Sequence, residues 1–213
     1  MRTRSRNYPS RQANREAEKI KLYTAPASPF GRKASIVARE HGIDLEEETY
    51  NPFDSDALAE LNPLRFIPVL VLDDGAVLHD SQLICEYLDS IGAGPTLYPE
   101  AGRWVWRTRM TVGHGLAEAS VQLRLQNVLV EAEQSATLRK RYSSRISRAV
   151  AQLEKQADAL IPGAMRMDKI CAVIGLGHVE FRHGEDWRDD APNLAAWYDD
   201  ALERPSFAET APK

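Results

Sequence analysis

The sequence predicts a small α/β domain followed by a larger domain built only of helices. Residues 20–92 alternate short β-type segments with helical segments, which is typical of a layered α/β fold. After residues 92–96 (Gly-Ala-Gly-Pro-Thr), whose composition is that of a linker, only helical patterns follow. The expected division is a basic, disordered extension at 1–18, an α/β domain at 19–92, a linker at 93–100 and a helical domain at 101–213.

The α/β part is expected to follow the order β-α-β-α-β-β-α. Its first strand covers residues 20–24, and the first helix starts after Ser28, a favourable N-cap, with Pro29 as a favourable first residue. The sequence Asp-Asp-Gly at residues 73–75, between two apolar runs, predicts a hairpin. The closing helix places its apolar residues on one face: Leu83, Ile84, Tyr87, Leu88 and Ile91. The other expected segments are a strand at 45–50, a helical turn at 54–61 and helices at 102–131, 135–160, 168–183 and 192–204.

The charge divides the chain into a basic start and an acidic remainder. The 213 residues are 43% hydrophobic and 27% charged, so a folded core is expected. Residues 1–21 hold seven cations against two acids, a net of +5, whereas the remaining 20 cations and 29 acids sum to −9. The overall charge of −4 gives no reason to expect a nucleic-acid partner.

Cysteine content and hydropathy point to a cytoplasmic protein. Cys85 and Cys171 are far apart in sequence, which excludes a disulfide-rich scaffold and a cysteine zinc cluster. The chain has no run of 18 apolar residues, and its first 20 residues lack the apolar centre of a secretory signal. We therefore expect neither a membrane segment nor a metal site.

Three segments of the α/β part carry residues that could bind a ligand. Ser28 could face an anion, because unpaired N–H groups and the helix dipole favour negative charge at a helix start, or it could be an ordinary cap. Asp80 and Ser81 could take the ammonium and carboxylate groups of an amino acid, with capping again the alternative. The Ile67–Pro68 bond could be cis and expose the backbone of Ile67, or trans at a strand edge.

Several short motifs follow one another in a characteristic order. They are Lys-Leu-Tyr at 21–23, Ser-Pro-Phe-Gly-Arg-Lys at 28–33, Asn-Pro-Leu at 62–64, Ile-Pro-Val-Leu at 67–70 and Asp-Ser-Gln-Leu-Ile-Cys-Glu-Tyr-Leu at 80–88. The chain ends with Arg-Pro-Ser-Phe-Ala-Glu-Thr-Ala-Pro at 204–212. In this order and spacing the chain resembles bacterial glutathione S-transferases over residues 19–212.

The resemblance implies a thioredoxin-like domain joined to an all-helical domain, usually as a homodimer. It implies that Ser28 contacts the sulfur of glutathione and that the backbone of Ile67 pairs with the cysteinyl unit. It also implies that Pro68 is a cis-proline and that Asp80 and Ser81 hold the γ-glutamyl end. Glutathione is then a co-substrate, and no metal is expected.

Two departures from the family pattern affect these expectations. The family often places a glycine and then a lysine or glutamine where this chain has Arg65 and Phe66. Phe66 offers neither an amide nor an ammonium group, so weaker glutathione binding, or a different hold on the glycyl end, is expected. The helix that contains Cys171 lacks the Ser/Thr of the family's capping box, and Asp168 is expected to cap it alone.

The electrophile pocket is expected to draw on Phe30 and on one face of the helix at 102–131. The candidates on that helix are Trp106, Met110 and His114. His114 is a candidate general acid or substrate contact, and a structural histidine is the alternative.

The expected activity is conjugation of glutathione to a small apolar electrophile, as in cytoplasmic detoxification. Ser28 would stabilise the thiolate, whereas a cysteine there would favour mixed-disulfide chemistry. The alternatives are a non-catalytic binding or regulatory protein of the same fold and a glutathione-dependent peroxidase or reductase.

Overall fold

The computed structural model describes residues 20–50, 56–184 and 186–213. Its sheet has the strand order β2-β1-β3-β4, with strands β1 Ile20–Thr24, β2 Leu45–Thr49, β3 Val69–Val71 and β4 Val77–His79. β1 runs parallel to β2, and β3 is antiparallel to both β1 and β4. The extension expected at 1–18 lies outside the described residues.

Three helices accompany this sheet, in the order that the sequence predicts: α1 Pro29–Glu40, α2 Ala57–Leu61 and α3 Ser81–Ile91. α1 and α3 pack against each other. The turn between β3 and β4 contains Gly75 at φ +81°, a value that glycine adopts without strain. A Cβ at Gly31 would lie 1.6 Å from Oγ1 of Thr24, so glycine is what allows α1 to pack this closely on β1.

The rest of the described chain is helical. The helices are α4 Arg103–Val128, α5 Ala136–Lys155, α6 Ala157–Leu160, α7 Met167–His183, α8 Trp187–Asp190, α9 Pro192–Leu202 and α10 Pro205–Ala208, with a 3₁₀ helix at Glu131–Glu133. α7 is buried along most of its length and packs mainly on α4. No helix within the described ranges is both long and apolar enough to cross a bilayer.

The end of the chain is fastened to α1. The guanidinium of the buried Arg32 donates to the carbonyl oxygen of Phe207 at 3.2 Å and to Oγ1 of Thr210 at 3.4 Å. Glu40, at the end of α1, accepts two hydrogen bonds from Arg204, at 2.6 and 2.5 Å. The C-terminal segment and the helix behind Ser28 therefore form one packed unit.

Two side-chain arrangements add detail to what the sequence indicates. The fully buried Asp168, the second residue of α7, accepts a hydrogen bond from the first-turn N–H of Lys169 at 3.1 Å, as a capping side chain would. It also accepts hydrogen bonds from Arg109 at 3.0 Å and from Arg166 at 3.1 Å. The apolar face of α3 is not wholly in the core, since Leu83 and Ile91 are exposed although Ile84 and Leu88 beside them are buried.

Candidate functional site

Sheet register brings the three candidate segments to one end of the sheet. Tyr23 of β1 pairs with Val69 of β3, and Val69 pairs with His79 of β4. The segment after β1, the segment before β3 and the segment after β4 therefore all lie at the same end of the sheet. These segments carry Ser28, Ile67–Pro68 and Asp80–Ser81, respectively.

Ser28 caps α1, and its hydroxyl proton remains available to donate a hydrogen bond. Its backbone is extended, at φ −77° and ψ 116°, and its Oγ accepts a hydrogen bond from the N–H of Gly31 at 3.2 Å. A hydroxyl that accepts one hydrogen bond can still donate its own proton. Ser28 is half-buried at the positive end of a twelve-residue helix, so this donor would meet a bound anion in a favourable potential.

Asp80 caps α3 from an unusual backbone conformation. Its φ is +76°, in the left-handed region that non-glycine residues rarely adopt, and such strain is often found at ligand sites. Oδ1 accepts from the N–H groups of Gln82 at 2.8 Å and Leu83 at 3.2 Å. The described hydrogen bonds leave Oδ2 unused, so an exposed carboxylate oxygen is available to a cation. Ser81, the first residue of α3, is buried beside it.

The Ile67–Pro68 peptide bond is cis. The turn before it is held by the buried Asn62, whose Nδ2 donates to the carbonyl oxygen of Phe66 at 2.8 Å. Within the described part of the chain, the N–H and C=O of Ile67 make no backbone hydrogen bond, because the ladder to β1 starts at Val69. An extended ligand strand could pair with this free edge.

The departure at residues 65 and 66 has a structural consequence. Arg65 has φ +54°, a conformation that the glycine expected there would adopt without strain. The side chain of Phe66 is 70% exposed. The site therefore presents an aromatic ring where an amide or an ammonium group was expected.

Phe30 and His114 form a wall beside these segments. Their ring centroids are 5.3 Å apart with the planes tilted by 55°. Nζ of Lys33 lies 3.4 Å from Nδ1 of His114. Burial first, and then the charge of Lys33, lower the pKa of His114 to about 4, although Asp80 acts in the opposite direction. A pKa of about 4 leaves the imidazole of His114 neutral at pH 7, and a neutral imidazole is better suited to a substrate contact than to general-acid catalysis.

The side chains of Trp106 and Met110 are more deeply buried than those of Phe30 and His114. Trp106 is 3% exposed, its indole N–H donates to the carbonyl oxygen of Pro99 at 3.0 Å, and its ring packs edge-on against Tyr98. Met110 belongs to the same buried core. Phe30 and His114 are thus the pocket candidates in mutual contact, and the roles of Trp106 and Met110 stay predictions.

Lys33 is a residue of this region to which the sequence motifs assign no role. Only 1% of it is exposed. The signal was present, because Lys33 is four residues after Pro29 and four before Val37 and therefore shares their buried helix face.

The cysteines and the histidines of α7 are either buried or hydrogen-bonded to groups outside this region. Cys85 and Cys171 are buried free thiols, and burial raises the pKa of Cys85 to about 12, so its reactive thiolate is suppressed. Nδ1 of His178 contacts Oγ of Ser120 at 2.7 Å, and Nε2 of His183 contacts the Ser120 carbonyl oxygen at 3.0 Å. In the ranges the structure covers, no three His, Cys, Asp or Glu side chains are grouped to hold a metal ion.

Comparison with known proteins decides the family. Residues 22–96 match the sequence model of the glutathione S-transferase N-terminal domain. The uncharacterized GST-like protein YibF of Escherichia coli (strain K12) is 30% identical over 205 residues, which cover 91% of this chain and 98% of that protein. The chain belongs to the glutathione S-transferase family.

Solved structures of glutathione transferases share the whole fold. A family member from Pseudomonas fluorescens Pf-5, solved with bound glutathione, is 35% identical with a TM-score of 0.85, covering 92% of this chain and 100% of that one. A glutathione S-transferase from Methylobacillus flagellatus KT, also with glutathione bound, is 29% identical with a TM-score of 0.86 over the same shares. The predicted thioredoxin-like domain followed by an all-helical domain is confirmed.

Proposed function

We propose that this glutathione S-transferase family member binds glutathione as a co-substrate and conjugates it to a small apolar electrophile. The observation that carries the proposal is the convergence of Ser28, the free backbone edge of Ile67 and the Asp80–Ser81 pair at one end of the sheet. Two related structures that contain glutathione support the choice of ligand.

Each group of glutathione has a matching group in this site. The γ-glutamyl ammonium would meet the free Oδ2 of Asp80, and its carboxylate would meet Ser81 at the start of α3. The cysteinyl unit would pair with the backbone of Ile67 beside the cis Pro68. That pairing would direct the sulfur toward the Ser28 hydroxyl.

This arrangement can supply the free energy that is needed to lower the pKa of the glutathione thiol. A thiol with a pKa near 8.5 is mostly protonated at pH 7, and lowering the pKa by about two units requires about 2.7 kcal/mol. A hydrogen bond from Ser28 to the thiolate contributes about 1.5–3 kcal/mol. The start of α1 adds about 0.3–1 kcal/mol. Ser28 therefore acts as a stabiliser of the thiolate, which attacks the electrophile held against Phe30 and His114.

We infer that the protein acts in the cytoplasm, in detoxification, as a homodimer. The dimer is supported by exposed apolar side chains on two adjacent helices, Leu83 and Ile91 on α3 and Trp104 and Val105 at the start of α4. An ion pair of 3.2 Å between Glu86 and Arg107 joins these two helices.

The test is conjugation of glutathione to an aryl halide such as 1-chloro-2,4-dinitrobenzene. Ser28→Ala should lower kcat/KM at least about tenfold, because a charge-assisted hydrogen bond is lost. Ser135→Ala is the matched control, since Ser135 caps α5 through the same type of bond, to the N–H of Leu138 at 3.3 Å. Both variants lose a cap, but only Ser28 faces the site. Equal activity of the two variants would contradict the role of Ser28.

A non-catalytic binding or regulatory protein of this fold is the second candidate. The exposed Phe66 ring favours it, because this ring offers glutathione neither an amide nor an ammonium group. Absence of retention on immobilised glutathione, together with no turnover of any electrophile, would support this candidate. Turnover that depends on Ser28 would exclude it.

A further inference from the structure

Lys33 is a buried ammonium group without a carboxylate partner. It is 1% exposed on α1, and in the part of the chain that the structure describes no Asp or Glu lies within salt-bridge distance of it. Its hydrogen-bond partner is Nδ1 of His114 on α4, at 3.4 Å. A buried cation that relies on one imidazole nitrogen constrains that imidazole strongly.

The constraint fixes where His114 carries its proton. An ammonium group donates three hydrogen bonds and accepts none, so Nδ1 must be the acceptor. The proton of the neutral ring is then on Nε2. The other charged groups around the ring are Asp80, which favours protonation, and Glu118, whose exposed carboxylate is 3.6 Å from Nε2 and thus beyond hydrogen-bonding distance.

The free N–H of His114 lies beside the proposed site. The ring packs against Phe30, which is two residues after Ser28 on the first turn of α1. The side chain of His114 is 15% exposed, and Nε2 is on the side of the exposed Glu118, away from Lys33. A donor in this position can reach an electrophile that rests on Phe30.

We propose that Lys33 is a positioning residue that holds His114 as an Nε2–H donor. The pair then selects electrophiles whose reacting carbon is conjugated to an acceptor oxygen, such as α,β-unsaturated carbonyl compounds. The substrate class rests on the conjugation activity proposed above. The thiolate of glutathione forms the C–S bond to the β-carbon, and the π pair moves to the carbonyl oxygen as an enolate. The Nε2–H of His114 donates to that oxygen without leaving the ring. The enolate then takes up a proton from water, equivalent to the one that the thiol released.

The tautomer is tested by NMR on protein labelled with ¹⁵N-histidine. Wild type should show His114 neutral, with its proton on Nε2, from pH 7 down to about pH 5, because burial and Lys33 lower its pKa to about 4. Lys33→Met should raise that pKa and mix the two tautomers, and Lys33→Arg should restore the wild-type signals. Glu118→Gln is the control and should leave the tautomer unchanged. A proton on Nδ1 in wild type, or signals that Lys33→Met does not move, would overturn the proposal.

The substrate preference is tested with a matched pair of electrophiles, an aryl enone and a benzyl halide. The halide leaves with the bonding pair and develops no enolate oxygen. Lys33→Met should therefore lower the ratio of kcat/KM for the enone to that for the halide about tenfold, while Glu118→Gln should keep the wild-type ratio. An unchanged ratio in Lys33→Met would overturn the preference. Absence of turnover of both compounds by wild type would refute the conjugation activity itself, and the NMR result would still decide the role of Lys33.

Discussion

Single residues at this site combine a structural bond with a free binding group. The Oγ of Ser28 accepts the capping bond from Gly31, and its proton is left for a ligand. Asp80 uses Oδ1 for both capping bonds and leaves Oδ2. The sequence left capping and ligand binding open as alternatives for both residues. The geometry shows that the two roles are compatible, because different atoms serve them.

Asp80→Asn separates the two roles of that side chain. The amide oxygen can still cap α3, and asparagine tolerates a φ of +76° better than most residues, so the fold should be kept. Loss of the negative charge should weaken glutathione binding by roughly tenfold or more, measured by calorimetry.

Asp74→Asn provides the matched control for Asp80→Asn. Asp74 makes a similar bond to the N–H of Ala76, at 2.9 Å, in the hairpin at the other end of the sheet. Its variant should bind glutathione like wild type. The same loss of affinity in both variants, or in neither, would refute the role assigned to Asp80.

Among the elements, the contact between α4 and α7 positions His114, which belongs to the proposed electrophile pocket. A Cβ at Gly113 would lie 2.7 Å from the backbone N of Ala172, so the two helices touch through their backbones. Arg109 on α4 and the buried Asp168 on α7 add an ion pair of 3.0 Å. His114 follows Gly113 directly, so the packing of α4 on α7 determines where the His114 ring lies relative to Phe30.

Gly113→Ala should separate α4 from α7. Because the added methyl group meets backbone rather than a movable side chain, the free energy of unfolding should fall by about 1–3 kcal/mol in urea titrations. Gly115→Ala on the same helix has open space around its Cβ and should stabilise the protein by about 0.5–1 kcal/mol, since alanine is the better helix former. Equal effects of the two substitutions would contradict close packing at Gly113.

Across the whole molecule, local signals predicted much of the fold and only part of the site. Caps, the Asp-Asp-Gly turn and apolar periodicity depend on neighbours in sequence, and the element order agrees with them. The contact of Lys33 with His114 joins residues 81 apart in sequence, so helix packing alone determines it. Leu83 and Ile91 show the same limit, because periodicity identifies an apolar face without saying what covers it.

The proposed homodimer is tested by matched substitutions at the two ends of α4. Val105 and Val128 are both exposed. Val105 is in the first turn of α4, near the Arg107–Glu86 ion pair that joins α4 to α3, whereas Val128 is the last residue of α4. Sedimentation should give wild type a mass of about twice the 23.9 kDa chain. Val105→Glu should shift it toward the monomer, because a charge would be buried against apolar surface. A monomeric wild type, or dissociation caused equally by Val128→Glu, would contradict the proposed surface.

The central claim is that Ser28 stabilises the thiolate of bound glutathione. The direct measurement is the pH titration of thiolate absorbance near 240 nm in the complex with glutathione. The claim predicts a wild-type thiol pKa about two units below the free value of about 8.5, a rise of at least about one unit in Ser28→Ala, and wild-type behaviour of Ser135→Ala. A bound thiol that titrates near 8.5 in wild type, or a pKa that Ser28→Ala leaves unchanged, would contradict it.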